Sequence, residues 1–276
     1  AMGSLAKLLG RIAARSFESE SSNILKTASA NKRGLSRALD ATLHKSHDMR
    51  VFGLGTACSM ADRGRYARFT ASMLAIYGEM ERKLDASGSP AVARVWSPLG
   101  GQLRRAEKLA LDLQDVRVEL AGGGGGEAVR GGTESPATEA YVAAIGAAAR
   151  RDDLDGGGRL LGHLYTRYLA DLFGGQALAL PYRWALQLPD EAPRHFDFGD
   201  FGERRREGIE SIYEALNDAG AVLTAAAKDE VVRETEQAFA HNIAVYSEEG
   251  RLYADGARGV ARVAAGFLRS RVYGRA

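Results

Sequence analysis

The sequence predicts an all-α fold built as a single domain. Two observations carry that prediction. Prolines number only six in 276 residues while alanine and leucine are abundant, and no run of alternating Val, Ile and Thr stands out as a strand. Apolar residues instead recur at helical spacing. The resulting helices fall at about 34 to 49, 63 to 86, 101 to 119, 136 to 151, 158 to 187, 203 to 219 and 225 to 248, with a weaker one near 257 to 271.

The chain opens AMGS, which reads as an expression scar, and residues 5–32 read as an N-terminal extension. Within it, Leu5, Leu8, Leu9 and Ile12 keep helical spacing with Lys7, Arg11 and Arg15 interleaved, and no acidic residue precedes Glu18. That pattern fits part of an organelle transit sequence and equally an N-terminal helix packed on the domain. The helical domain is expected over residues 33–250, and 251–276 is a basic helix or tail. AGGGGGEAVRGGT marks a flexible loop over 121–133, since no strand precedes it and no GK(S/T) follows. A further break falls at LPDEAPRHFDFGDFG.

Composition narrows the function classes. Lys and Arg total 37 against 35 Asp and Glu, a formal charge of +2, which argues against a general nucleic-acid binder. One cysteine, Cys58, excludes an internal disulfide framework and a thiolate zinc cluster. It follows GLGTA in an expected connector and reads as a buried thiol. No stretch of 18 or more apolar residues predicts a membrane span.

HLYTRYLADLFGGQ poses the main question, because Gly174 and Gly175 each cost about 1 kcal/mol relative to alanine inside a helix. His163, Arg167 and Asp171 recur every four residues and so line one face, with the glycines a turn beyond. Either the glycines admit a flat ligand to the backbone, or they permit close helix packing beside a solvated stripe. In RALDATLHKSHD, Arg37, His44 and Asp48 share a face, so His44 is a candidate metal ligand, with Asp48 a candidate to hold its other nitrogen. In QAFAHNIAVY, Phe239, Asn242 and Tyr246 share another.

Together these stretches resemble the heme oxygenase family, over about 34 to 248. HLYTRYLADLFGGQ is similar to the family's distal-helix signature, TASMLAIYGEME to its second helix, SPATEAYV to a later one, and AFAHNIAVY to a late-helix pattern. The resemblance implies heme b, as substrate or ligand, between the His44 helix and the helix over 163–187, with His44 ligating iron. It implies that Asp171 organises the water of the oxygen-activating side, with Arg167, Tyr77, Tyr141 and Asn242 completing the polar network. Gly174 and Gly175 would lie against the porphyrin, with Phe239 and Tyr246 beside it. The implied products are biliverdin, carbon monoxide and iron, with a ferredoxin or reductase as electron donor.

The departures are equally specific. Ala170 and Phe173 stand where the family signature has glycine and serine, adding bulk near the iron. Of the basic residues that hold the propionates, Arg37 keeps one, Ala41 replaces another, and Ile209 and Tyr213 occupy the positions of two more. The run Arg204 to Arg206 lies just upstream as a substitute clamp or a solvated helix start. Di-iron carboxylate proteins share the architecture, but none of the five histidines has Glu three residues before it. Thiamine-degrading enzymes need an activated cysteine, which nothing near Cys58 predicts. Two functions are therefore expected: heme degradation, or a degenerate relative acting as a heme-responsive or structural partner. The location expected is a mitochondrial matrix or plastid stroma, otherwise the cytoplasm.

Overall fold

A computed structural model describes residues 28–46, 48–122, 135–248 and 251–273, with the side chains of His44, Lys45, Met49, Tyr273 and 118–122 excluded. The first 27 residues, and with them the expected scar and most of the extension, lie outside the described residues, as does most of the expected glycine loop. The described residues form helices and no strands: α1 (Gly34–Ser46), α2 (Met49–Ser59), α3 (Arg63–Ala86), α4 (Pro90–Leu103), α5 (Ala106–Gly122) and α6 (Pro136–Asp155). Then come α7 (Leu160–Leu164), α8 (Ala170–Phe173), α9 (Ala179–Leu186), α10 (Asp200–Glu203), α11 (Arg205–Val222), α12 (Ala225–Ser247) and α13 (Leu252–Tyr273).

Helix starts follow from capping side chains. Asp62 accepts from Arg65 N, Ser89 from Val92 N, Ser135 from Thr138 N and Thr224 from Ala227 N, each satisfying an amide that a helix start leaves unpaired. The long α3 packs on α5 and α6, and α12 packs on α1, α2, α6 and α7, so α3 and α12 form the scaffold of the site. One apolar cluster runs from Leu39 through Ile76, Leu161 and Leu172 to Ile212 and Phe239, all buried. A second, around Tyr66, Tyr182 and Phe196, lies beside it.

Four expectations change. The helix expected over 34–49 ends at Ser46, and Asp48 caps the next one, accepting from Arg50 N (3.0 Å) and Val51 N (3.1 Å). Asp48 is therefore a cap and does not continue the Arg37 and His44 face. The expected connector carrying Cys58 is helix α2, with Cys58 fully buried and its Sγ 3.0 Å from Leu252 O. Glycines 53 and 55 disguise that helix, and Gly55 is where Tyr246 packs: a Cβ there would lie 2.7 Å from both its Cδ1 and its carbonyl oxygen. The second unexpected helix, α4, begins with Pro90 at a first-turn position that needs no N–H and contains Pro98 further on.

The helix expected over 158–187 is real in extent but broken. A π-turn over Tyr165–Leu169 follows α7, Gly174 interrupts the chain at φ −141°, and a 3-10 turn over Gly175–Leu178 leads into α9. Each change of pitch rotates the following side chains relative to a straight helix. The C-terminal segment is a helix that packs on α2 and α9, tied by Arg65 to buried Asp255 at 2.6 Å and by Arg262 Nη1 to Ala61 O at 2.9 Å.

Candidate functional site

A cavity lies where the broken helix faces α3, α12 and α2. Its walls carry Thr166, Arg167, Ala170, Asp171 and Gly175 from the broken helix, and Phe69, Met73 and Tyr77 from α3. Phe239, Asn242 and Tyr246 come from α12, Phe52 and Thr56 from α2. The four-residue spacing of Arg167 and Asp171 survives the π-turn sufficiently to bring both to one wall.

The polar groups of this wall hold one another in a buried network. The Tyr77 hydroxyl donates to Asp171 Oδ2. Arg167 Nη1 donates to Asn242 Oδ1 at 2.8 Å, and Nη2 lies 3.2 Å from Met73 Sδ and 3.8 Å from Asp171 Oδ1. The Arg167 guanidinium also sits 5.2 Å from the centre of the Tyr77 ring. Burial raises the Tyr77 phenol well above its ordinary range, against the lowering influence of Arg167, so the proton stays on the phenol and the hydrogen bond to Asp171 has a fixed direction. Asp171 Oδ1, facing Arg167 beyond hydrogen-bond range, keeps lone pairs for water in the cavity.

The remaining sequence candidates divide. Tyr141 is fully buried but is not among the lining residues; its ring stacks 5.5 Å from His241 and lies 5.6 Å from His163, and its hydroxyl has no partner. Phe173 is buried in the main core and also does not line the cavity, whereas Ala170 does. The two added bulks of the signature thus point to different places. Gly174 breaks the helix without lining the cavity. At Gly175 the near neighbour is a protein ring: a Cβ would lie 2.8 Å from Phe196 Cδ1. Arg37 is exposed, and His44 sits in the last turn of α1 with its side chain outside the described residues.

Two groups escaped the sequence reading. His195 and Phe196 line the cavity from the 3-10 turn between α9 and α10. Nothing in RHFDF marks its histidine, because its partner Asp112 lies on another helix. The second group is Asp40, one turn before His44. Its Oδ1 accepts from Tyr165 Oη at 2.5 Å and Tyr213 Oη at 3.0 Å, and its Oδ2 from Asn31 Nδ2 at 2.7 Å. Tyr213, expected at a propionate-clamp position, therefore holds an internal carboxylate.

Comparison with known proteins agrees with this architecture. A family model described as heme oxygenase matches residues 35–248. The chain is similar to heme oxygenase 1 of Synechocystis sp., 28% identical over 206 residues that cover 70% of this chain and 74% of that protein. It is 30% identical to heme oxygenase 1 of Gallus gallus over 179 residues, 64% of this chain and 55% of that one. In fold it is similar to heme oxygenase 2 from Chlamydomonas reinhardtii, solved without heme, at a TM-score of 0.63 and 24% identity, covering 78% of this chain and 96% of that one. Heme oxygenase-2 from Synechocystis sp., solved with heme and NO, gives 0.61 at 24% identity, covering 78% of this chain and 85% of that one.

Proposed function

Because the chain belongs to the heme oxygenase family, we propose that it takes heme as its substrate and degrades it to biliverdin, carbon monoxide and iron, using dioxygen and electrons from a ferredoxin or reductase. The observation that carries this reading is the closed set of Tyr77, Asp171, Arg167 and Asn242 on one cavity wall. Bound heme supplies both the ring that is cleaved and the iron at which dioxygen is reduced.

The donor set suits that substrate. An unpaired buried Arg167 Nε and the open Asp171 Oδ1 are polar groups facing a largely apolar cavity, with Ala170 and Gly175 as the small residues of its wall. Asp171 orders cavity water and moves protons through it, while Tyr77 and Arg167 fix the orientation of its carboxylate. Asn242 fixes Arg167 in turn. Phe239 and Tyr246 supply apolar contact, and His44 is the proposed iron ligand from α1, with Arg37 toward a carboxylate. The free volume is about 70 Å³, below the ~300–1,000 Å³ of sites that bury small organic ligands. Heme entry therefore requires the cavity walls to part.

A second reading, a heme-responsive or structural protein without turnover, is favoured by Asp40. A carboxylate held one turn before His44 by Tyr165 and Tyr213 would repel a propionate bound on that side of α1. The test compares wild type with Asp171→Asn at equal heme occupancy, supplying dioxygen and reductant. We expect biliverdin from wild type and a loss of at least tenfold in the variant, with heme retained in both. Equal output from the two would remove Asp171 from its role, and no biliverdin from either would favour the second reading. Among the described residues no helix is long and apolar enough to cross a membrane.

A further inference from the structure

The segment between α9 and α10 is braced far beyond the needs of a connector. Asp112, fully buried on α5, accepts from the backbone N–H groups of Arg194 at 2.8 Å and His195 at 3.1 Å. Buried Arg105 donates to the carbonyls of His195 at 3.2 Å and Asp197 at 2.5 Å, and its guanidinium lies 3.8 Å from the centre of the Phe198 ring. The side chain so positioned is His195, only 3% exposed, which lines the cavity beside Gly175 and Phe196.

The ring has a fixed orientation. His195 Nδ1 lies 2.9 Å from Asp112 Oδ2. With Nδ1 held against the carboxylate, Nε2 is the ring nitrogen left without a side-chain partner among the described residues. A carboxylate on the far nitrogen is the arrangement that orients metal-ligating histidines. His195 is the one imidazole among the described residues lining the cavity. Among the described residues there is also no group of three or more His, Cys, Asp or Glu able to hold a bare ion. A metal that takes this imidazole must bring its other ligands with it, as the iron of a planar tetrapyrrole does.

We propose that His195 Nε2 is an axial ligand to the iron of a tetrapyrrole bound in this cavity, reaching it from the wall that carries Gly175. The inference rests on the heme reading above. Coordination donates the Nε2 lone pair, leaves the Nδ1 proton directed at Asp112, and transfers no electron. With His44 proposed for the other face, the ferric form holds two imidazoles and is low spin. Dioxygen can then reach the iron only when His195 leaves, which makes His195 a gate on the activity.

Ferric protoporphyrin IX titrated into the full chain tests this by Soret absorption and electron paramagnetic resonance. Wild type should give a low-spin signal. His195→Gln, which removes the imidazole, should convert most of it to high spin, and added imidazole should restore it. Cyanide should bind the variant at least tenfold more tightly, because no imidazole has to be displaced. In wild type, the cyanide rate should saturate with concentration as release of His195 becomes limiting, a measurement that stands even if the variant fails to fold. Bound heme that is high spin in wild type, an unchanged low-spin signal in His195→Gln, or a cyanide rate that stays linear in wild type would overturn the ligation while leaving heme binding intact. Absence of any Soret change in wild type would overturn both readings.

Discussion

Ala170 lines the cavity directly before Asp171, while Phe173 packs in the core. Ala170→Gly should raise the biliverdin formed per electron consumed, at a cost in helix stability of about 1 kcal/mol. An unchanged yield would show that the methyl does not disturb the water held by Asp171. Phe173→Ser should instead lose ~3–5 kcal/mol in urea unfolding, the scale of emptying a buried aromatic site. Asp112 is one of the carboxyls that make the fold sensitive to acid. Its carboxyl lies lower in the folded chain than in the unfolded one, so its contribution is full above the unfolded value near 4 and is lost as pH falls through the folded value. Asp112→Asn should flatten that acid limb of the stability curve, and urea midpoints measured between about pH 5 and 2 check it.

Helix α2 belongs with the site because Tyr246 of α12 lies on Gly55, its ring 5.0 Å from that of Phe52. Gly55→Ala should destabilise the fold by about 1–3 kcal/mol through overpacking, although alanine is intrinsically the better helix former by about 1 kcal/mol. A variant as stable as wild type in urea would mean that α2 and α12 are not in this contact. The same residue explains what was legible in the sequence. Helices with clean apolar spacing, such as α3 and α12, could be read directly. Those carrying Gly53, Gly55 or Pro98 could not, because a distant contact or a tolerated proline overrides local propensity. The site divided likewise. Tyr77, Arg167, Asp171 and Asn242 follow from motifs, whereas His195 and Asp40 gain their meaning from partners 83 and 125 residues away.

Asp40 joins α1 to the broken helix through Tyr165, to α11 through Tyr213, and to the first described turn through Asn31. Burial raises its carboxyl above the ordinary value, against the hydrogen bonds from Tyr165, Asn31 and Tyr213. A raised folded value means that its contribution is full below the unfolded value and is lost as pH rises through the folded one. Asp40→Asn should therefore remove that pH dependence and should tighten heme binding several-fold at low salt, with the gain shrinking as salt screens the charge. An unchanged dissociation constant would show that the propionates bind elsewhere. The central claim, that this chain degrades heme, is tested most directly by anaerobic titration of the full chain with heme, followed by dioxygen and a reductant. The account predicts a Soret shift on titration, then verdoheme and biliverdin bands as the heme spectrum decays. A heme spectrum that forms and then persists unchanged would contradict it.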